Sequence, residues 1–121
     1  MALVLVVDDN TVNLDLMLYL LQAFGHEVLG AGDAPAALEA ANSHAFDIVL
    51  TDILMPGMDG YEFVRRLRSD GRLQIPIIAV TALAMAADRA RIAAAGFDGY
   101  IGKPIDPRTF VKEVESFLQQ D

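Results

Sequence analysis

Short runs of aliphatic residues alternate along the chain with longer stretches in which apolar residues recur every three or four positions. The clearest run, Leu3–Val7, consists of five consecutive aliphatic residues. Such a run is typical of a strand that is buried on both faces, as in a parallel sheet. Later runs predict four further strands, at Glu27–Ala31, Ile48–Leu50, Ile77–Val80 and Tyr100–Ile101.

The stretches between these strands carry helical patterns and signals for helix ends. In the first, apolar residues recur at helical spacing from Leu14 to Phe24, and Gly25 is the expected C-terminal cap. Further helices are predicted at Ala34–His44 behind the capping residue Asp33, at Tyr61–Ser69, at Ala84–Ala95 before Gly96, and from Asp106-Pro107 onward.

This alternation of strands and helices predicts an α/β fold, because parallel strands are joined by helical crossovers that cover both faces of the sheet. The expected architecture is a five-stranded, doubly wound parallel sheet of order 2-1-3-4-5, a flavodoxin-like (βα)5 fold. With 121 residues the chain has the size of one domain, which we expect to cover residues 1–121.

Composition narrows the classes of function. Hydrophobic residues make up 54% of the chain, enough for a packed core, and the net charge is −8. A domain this acidic is not expected to bind nucleic acid directly, and it suits a cation or a basic partner better. Cysteine is absent, which excludes disulfides, thiol catalysis and cysteine metal sites, and His26 and His44 are too few for most zinc sites.

No targeting or membrane segment is predicted. The apolar run Leu3–Val7 is short, has no basic residue before it and ends in Asp8 and Asp9, unlike a signal peptide. No stretch approaches the ~20 apolar residues of a membrane span. We therefore expect a cytoplasmic protein that does not insert into membranes and that is a monomer or a weak dimer.

Polar side chains follow four of the predicted strands: Asp8 and Asp9 the first, Asp52 the third, Thr81 the fourth and Lys103 the fifth. Doubly wound sheets bind ligands at the carboxyl ends of their strands, so we expect these side chains to converge on one crevice. Each alone has an ordinary explanation, such as helix capping for Asp8 or Asp9 and a solvated surface position for Lys103. The set together indicates a functional site.

The residue types in this set indicate phosphoryl transfer. Three carboxylates in one crevice repel one another, and a divalent cation relieves that repulsion. Oxygen ligands without cysteine favour Mg²⁺ or Mn²⁺ over zinc. A carboxylate can attack phosphorus to form an acyl phosphate, while the cation, a lysine and a hydroxyl stabilise the phosphoryl oxygens. No glycine-rich phosphate loop is present, so a nucleotide is not the obvious donor.

In its whole length the chain resembles the receiver domain of two-component response regulators, of the stand-alone chemotaxis- or cell-division-regulator kind or excised from a hybrid histidine kinase. The resemblance rests on Asp8-Asp9, Asp52, Thr81-Ala82, Lys103-Pro104 and the turn Met55-Pro56-Gly57-Met58-Asp59-Gly60. It implies a signalling domain that accepts a phosphoryl group from a phosphohistidine of a histidine kinase or phosphotransfer protein. Phosphorylation would switch the surface around the fourth helix, fifth strand and fifth helix toward a downstream effector.

The resemblance also implies a role for each site residue. Asp52 corresponds to the phosphoacceptor. Asp9 and Asp52 would ligate Mg²⁺ directly, together with the backbone carbonyl of Leu54, and Asp8 would act mainly through water. Lys103 would bind the acceptor carboxylate and then the phosphoryl oxygen.

The resemblance implies a switch role for two further residues, which occupy the positions of the family's switch residues. Thr81 would move toward the phosphoryl group, and Tyr100 would turn inward as it does so. Such a domain catalyses its own aspartyl phosphorylation and slow dephosphorylation, and it is not a turnover enzyme in the usual sense. Leu54 and Leu83 are apolar where some members have polar side chains, which predicts slow hydrolysis of the acyl phosphate.

The first helix has more apolar positions than one core face needs. We assign the core face to Leu14, Met17, Leu18 and Leu21, whereas Val12, Leu16 and Leu20, with Asn13 beside them, form a second stripe. One interpretation is that this stripe packs under neighbouring loops. The other is that it docks the helical phosphohistidine domain of a partner, as the resemblance implies.

Two other classes of protein share elements of this pattern. A haloacid-dehalogenase-like phosphatase would have a DxD strand end, whereas Asp8 and Asp9 are adjacent. A flavodoxin-like electron carrier would need a Ser/Thr-rich phosphate loop after the first strand, where Asp8-Asp9-Asn10 would repel a phosphate. Both remain alternatives to the signalling domain.

Overall fold

The sheet of the computed structural model follows the predicted order. The structure describes residues 2–55, 57–69, 74–82 and 85–118. Its strands are β1 (Leu3–Val7), β2 (Glu27–Ala31), β3 (Ile48–Thr51), β4 (Ile77–Thr81) and β5 (Gly99–Gly102). They are all parallel and lie in the order β2-β1-β3-β4-β5, which confirms the predicted topology.

Capping residues mark several ends of the helices that connect and follow the strands. They are α1 (Thr11–Ala23), α2 (Ala34–Ser43), α3 (Gly60–Ser69), α4 (Ala86–Ala95) and α5 (Phe110–Leu118). The predicted cap of α2 is confirmed, since the Asp33 side chain accepts a hydrogen bond from Ala36 N at 2.8 Å. Gly96 ends α4 with a left-handed φ of 112°, as predicted. The predicted start of α4 at Ala84 lies outside the described residues.

The predicted start of α5 at Asp106-Pro107 is wrong. The helix begins at Phe110, and residues 107–109 form a turn before it. The Asp106 carboxylate accepts a hydrogen bond from Arg108 N at 2.9 Å, and its carbonyl accepts one from Thr109 N at 3.1 Å. The same carbonyl also accepts a hydrogen bond from Phe110 N at 2.9 Å, so the cap-and-proline signal marks a single turn that leads into the helix.

Both faces of the sheet are covered, which explains the continuous aliphatic runs. Helices α2, α3 and α4 cover one core, to which β1 contributes Leu5 and Val7. Helices α1 and α5 cover the other, to which β1 contributes Val4 and Val6. None of the described helices is long and apolar enough to cross a membrane.

Candidate functional site

The register of the sheet places the polar ends of β1 and β3 side by side. Val7 pairs with Thr51 across these neighbouring strands, so Asp8 and Asp52 directly follow two paired residues. With Asp9 they form a group of carboxylates whose ligand oxygens all lie within 4.8 Å of one another. The expected convergence of these three residues is confirmed.

Strands β4 and β5 deliver the remaining two polar groups to the same edge. Thr81, at the end of β4, is fully buried, and its carbonyl accepts a hydrogen bond from Lys103 N at 3.0 Å. The Lys103 side chain reaches the carboxylates, where Nζ donates to Oδ2 of Asp8 and to Oδ2 of Asp52, each at 2.8 Å. The peptide bond between Lys103 and Pro104 is cis.

The carboxylate of Asp52 is held at both oxygens. Asp52 as a whole is only 8% exposed to solvent. Oδ1 accepts hydrogen bonds from the backbone N–H groups of Ile53 at 2.7 Å and Leu54 at 3.3 Å, and Oδ2 accepts from Lys103. Backbone donors on one side and an ammonium on the other fix the orientation of this group.

Asp8 is buried in the site and does not cap α1. Its Oδ1 accepts a hydrogen bond from Asn10 N at 2.9 Å, and its Oδ2 accepts from Lys103. The cap of α1 is Asn10, whose Oδ1 accepts a hydrogen bond from Asn13 N at 3.0 Å. Capping as the explanation of Asp8 or Asp9 is therefore wrong. Sequence reasoning overlooked Asn10, although asparagine before a helical pattern is itself a capping signal.

The acidic cluster keeps a net negative charge that a cation can offset. Burial alone would lower the pKa of Lys103, but hydrogen bonds and charge from Asp52 and Asp8 outweigh it and raise this pKa above its usual value. Lys103 therefore carries its charge at neutral pH, and it offsets one of the three carboxylates. Oxygen donors with excess negative charge fit a hard divalent cation such as Mg²⁺.

Gly60 positions the loop that carries Asp52, a role that the sequence pattern of the turn did not assign to it. Its N–H donates to the Ile53 carbonyl at 2.7 Å. A Cβ atom on Gly60 would lie 2.5 Å from Cα of Ile53 and 2.6 Å from the carbonyl oxygen of Asp52. Only glycine allows this close backbone contact. The dipeptide Asp59-Gly60 was the available signal, and Asp59 caps α3 by accepting a hydrogen bond from Glu62 N at 2.9 Å.

Thr81 and Tyr100 lie on the same face of neighbouring strands. Tyr100 pairs with Ala79, two residues before Thr81, and paired residues of parallel strands point to one face. Gly102 pairs with Thr81, and a Cβ atom there would meet nothing within 4 Å. The space next to Thr81 on β5 is therefore open. Tyr100 is half-buried, and its hydroxyl lies 3.5 Å from Nη1 of exposed Arg89.

Leu54 follows Asp52 by two residues, and its side chain is free of the core. It is 59% exposed, while its backbone N–H is bonded to Asp52. An exposed aliphatic side chain at this position offers no hydrogen bond to an incoming water. Leu83, the second residue expected to slow hydrolysis, lies outside the described residues.

The predicted docking stripe on α1 is wrong at its far end. Val12 is 75% exposed and Leu16 is half-buried, but Leu20 is only 9% exposed and belongs to the core under α1 and α5. Eight residues turn an α-helix about 80° past two full turns beyond Val12, so Leu20 rotates toward the sheet. Tyr19, which is 68% exposed, lies on the face of Val12 instead. Asn13 is half-buried at the start of the helix.

Comparisons with known proteins agree with this geometry. Residues 4–115 match the family model described as the response regulator receiver domain. The chain is 39% identical over 116 residues to the polar-differentiation response regulator DivK of Brucella anthropi, which covers 95% of this chain and 94% of that protein.

Solved structures give the same picture. The chemotaxis protein CheY4 of Vibrio cholerae superposes with a TM-score of 0.92 at 33% identity, covering 97% of this chain and 98% of that one. The receiver domain of the sensor histidine kinase PA1611 of Pseudomonas aeruginosa, with magnesium in its active-site cleft, has a TM-score of 0.87 at 30% identity. It covers 98% of both chains. Neither the phosphatase nor the electron-carrier alternative finds support among these proteins.

Proposed function

The chain belongs to the response regulator receiver domain family, and within its phospho-accepting role in two-component signalling we propose that Asp52 takes up the phosphoryl group. The observation that carries this assignment is the set of contacts around its carboxylate. Asp52 is the carboxylate at the end of central strand β3 that is bonded at one oxygen by backbone N–H groups and at the other by Lys103.

The transfer reaction follows from these contacts. A carboxylate oxygen of Asp52 forms a bond to the phosphorus of a phosphohistidine donor, and the phosphorus–nitrogen bond breaks. The electron pair of the broken phosphorus–nitrogen bond stays with the imidazole nitrogen of the donor, and this nitrogen takes up a proton. Lys103 balances the charge on the phosphoryl oxygens, while the N–H groups of Ile53 and Leu54 keep the attacking carboxylate oriented.

We also propose that the acidic cluster holds Mg²⁺, or Mn²⁺ in its place. Asp9 and Asp52 would ligate the ion with the backbone carbonyl of Leu54, and Asp8 would act mainly through water, as the resemblance to the family implies. A bound cation supplies positive charge to the transferring phosphoryl group. The excess of carboxylates over ammonium groups in the cluster supports this assignment.

The proposed switch uses the open space on β5. Thr81 would donate its hydroxyl to a phosphoryl oxygen on Asp52, and Tyr100 would move into the space that Gly102 leaves beside Thr81. Because Tyr100 lies between α4 and α5 in sequence and contacts Arg89 of α4, this motion would reshape the surface around α4, β5 and α5. A downstream effector would recognise that surface.

The proposed partner that donates the phosphoryl group is a histidine kinase or a phosphotransfer protein. The exposed residue Val12 follows shortly after Asp9 of the acidic cluster. Asn13 and the half-buried Leu16 lie beside it on α1. An exposed apolar side chain at the rim of the crevice suits a transient contact with a helical donor domain. Buried Leu20 is not part of this surface.

The assignment of Asp52 is tested by labelling with acetyl phosphate. Wild-type protein with acetyl phosphate and Mg²⁺ should gain one base-labile phosphate by mass, and Asp52→Asn should gain none. Asp33→Asn is the matched control, because asparagine keeps the cap of α2 and should label like wild type. Labelling of Asp52→Asn at the wild-type rate would overturn the assignment.

A further inference from the structure

The arginines of this acidic chain are concentrated on one side of the molecule. Helices α3 and α4 carry five of the seven arginines, against two carboxylates, Glu62 and Asp88. These two helices therefore have a net charge of +3 within a chain of net charge −8. A basic face on an acidic protein draws anionic partners to that face and away from the others.

Two of these arginines line a groove between α3 and α4. The groove encloses about 360 Å³, and its lining residues are Tyr61, Arg65, Arg91, Ala94 and Ala95. The two alanines have side chains small enough for another chain to approach the helix closely. The volume is near the lower end for small-molecule pockets, so it suits one or two side chains of a partner.

The arginines on α3 and α4 differ in whether a carboxylate neutralises them. Arg66 pairs with Glu62 at 2.9 Å, and Arg68 pairs with Asp98 at 2.7 Å. Arg65 and Arg91 have no acidic partner among residues 2–55, 57–69, 74–82 and 85–118. Two like charges on one groove repel each other, and an anion between them offsets that repulsion.

A buried aromatic residue holds one of the two guanidinium groups in place. The Arg91 guanidinium carbon lies 4.1 Å from the centre of the Tyr61 ring, a cation–π contact. Tyr61 is itself buried, and its ring packs edge-on against Phe97 with 6.4 Å between ring centres. The contact with Tyr61 restricts the Arg91 side chain before a partner binds, so less side-chain freedom is lost on binding.

We propose that the α3–α4 groove binds an acidic protein segment by placing a carboxylate side chain between Arg65 and Arg91. Guanidinium groups match carboxylates in geometry and form charge-assisted hydrogen bonds with them. A protein segment fits better than nucleic acid, because the groove has room for one or two side chains but not for a sugar–phosphate backbone. The groove is separate from Asp52, so the proposal does not depend on phosphorylation.

The test is an NMR titration of the full-length, unphosphorylated ¹⁵N-labelled chain with an acetylated and amidated hexaglutamate peptide. Saturable amide shifts should concentrate on α3 and α4 around Arg65 and Arg91, and binding should weaken as salt is raised. The double variant Arg65→Glu/Arg91→Glu should bind at least about tenfold more weakly. Both side chains are exposed, so this variant should keep the wild-type amide spectrum away from the groove.

The matched control is Arg108→Glu/Lys112→Glu, which reverses two exposed positive charges near α5 and changes the net charge by the same four units. It should bind the peptide like wild type. Equal weakening by this control would mean that net charge alone attracts the peptide, and it would overturn the proposal. Shifts that do not saturate, or that map elsewhere, would overturn it as well.

A second arm replaces the peptide with hexathymidylate of similar charge. We expect weaker binding, since the bulky sugar–phosphate backbone does not enter a groove with room for one or two side chains. If hexathymidylate binds as tightly as hexaglutamate and depends on the same two arginines, the assignment to an acidic protein segment is wrong.

Discussion

Lys103 links the two halves of the site at the scale of single residues. Its ammonium group bonds Asp8 on one side and Asp52 on the other, and its side chain is largely enclosed. One compact charge thus satisfies two carboxylates, only one of which is proposed to react. The size and shape of this cation should matter as well as its charge.

We therefore expect Lys103→Arg to slow labelling by acetyl phosphate about 10- to 100-fold, because a planar guanidinium displaces the carboxylates from their positions. Labelling rates by mass spectrometry check this expectation. Lys112→Arg makes the same change at the other, exposed lysine and should have no effect. Wild-type labelling and a wild-type response to phosphorylation in Lys103→Arg would contradict the role.

Gly60→Ala tests the loop behind Asp52. The added Cβ would meet backbone atoms of Asp52 and Ile53, so the loop must shift. We expect a loss of about 1–3 kcal/mol in the free energy of unfolding, measured with urea, and slower labelling. Gly32→Ala, where a Cβ atom meets nothing within 4 Å, should cost far less. Equal unfolding free energies for the two variants would refute the close contact.

Leu54→Asn tests the lifetime of the acyl phosphate. Leu54 is exposed beside Asp52 and offers no hydrogen bond to the water that hydrolysis requires. An amide side chain can orient that water, so the acyl phosphate of Leu54→Asn should decay faster than that of wild type. The decay is followed by mass after acetyl phosphate is removed. An unchanged or longer lifetime would show that shielding by Leu54 is not the cause.

The side chains of the site were predictable because each lies at the carboxyl end of a predicted strand. The positions of Asp8, Asp52 and Lys103 follow from strand order alone. The contacts that fix them are set by backbone geometry, which local residue types do not reveal. The close approach of Gly60 to Asp52 is of this second kind.

At the scale of elements, α1 shows where periodicity falls short. The helix has apolar residues around most of its circumference, so the pattern assigned Leu20 to the outer face although it belongs to the core. Contacts with β2 and α5 decide that Leu20 is buried and Tyr19 is exposed. For α5, the residues after Asp106 form a turn first, because the Asp106 side chain bonds the local backbone.

The proposed docking of a phosphohistidine partner on α1 is tested by Val12→Glu. Val12 is exposed next to the crevice, so a charge there should weaken contact with an apolar donor surface at no cost to the fold. We expect phosphotransfer from the partner protein to slow about tenfold, while labelling by acetyl phosphate stays unchanged. The ratio of the two rates is the measurement.

Phe24→Glu is the control for this experiment. Phe24 is also an exposed apolar residue of this segment, but it lies at the far end of α1. Both rates should match wild type in this variant. If Val12→Glu slows both reactions together, or if Phe24→Glu changes the ratio equally, the docking surface lies elsewhere.

At the scale of the whole molecule, charge is divided between regions with different tasks. The carboxyl edge of the sheet gathers three carboxylates, whereas α3 and α4 gather most of the arginines. The fold was predictable because two apolar cores leave little choice of topology for alternating strands and helices. The basic groove was not, since it depends on which arginines lack a carboxylate partner.

The claim that Asp52 accepts the phosphoryl group is tested most directly by trapping the product. Protein labelled with acetyl phosphate and Mg²⁺ is reduced with borohydride, which converts an aspartyl phosphate to homoserine, and is then digested for peptide mass spectrometry. We expect homoserine at position 52 alone, and none when EDTA replaces Mg²⁺. Homoserine at position 8 or 9, or at position 52 to the same extent with EDTA, would contradict the account.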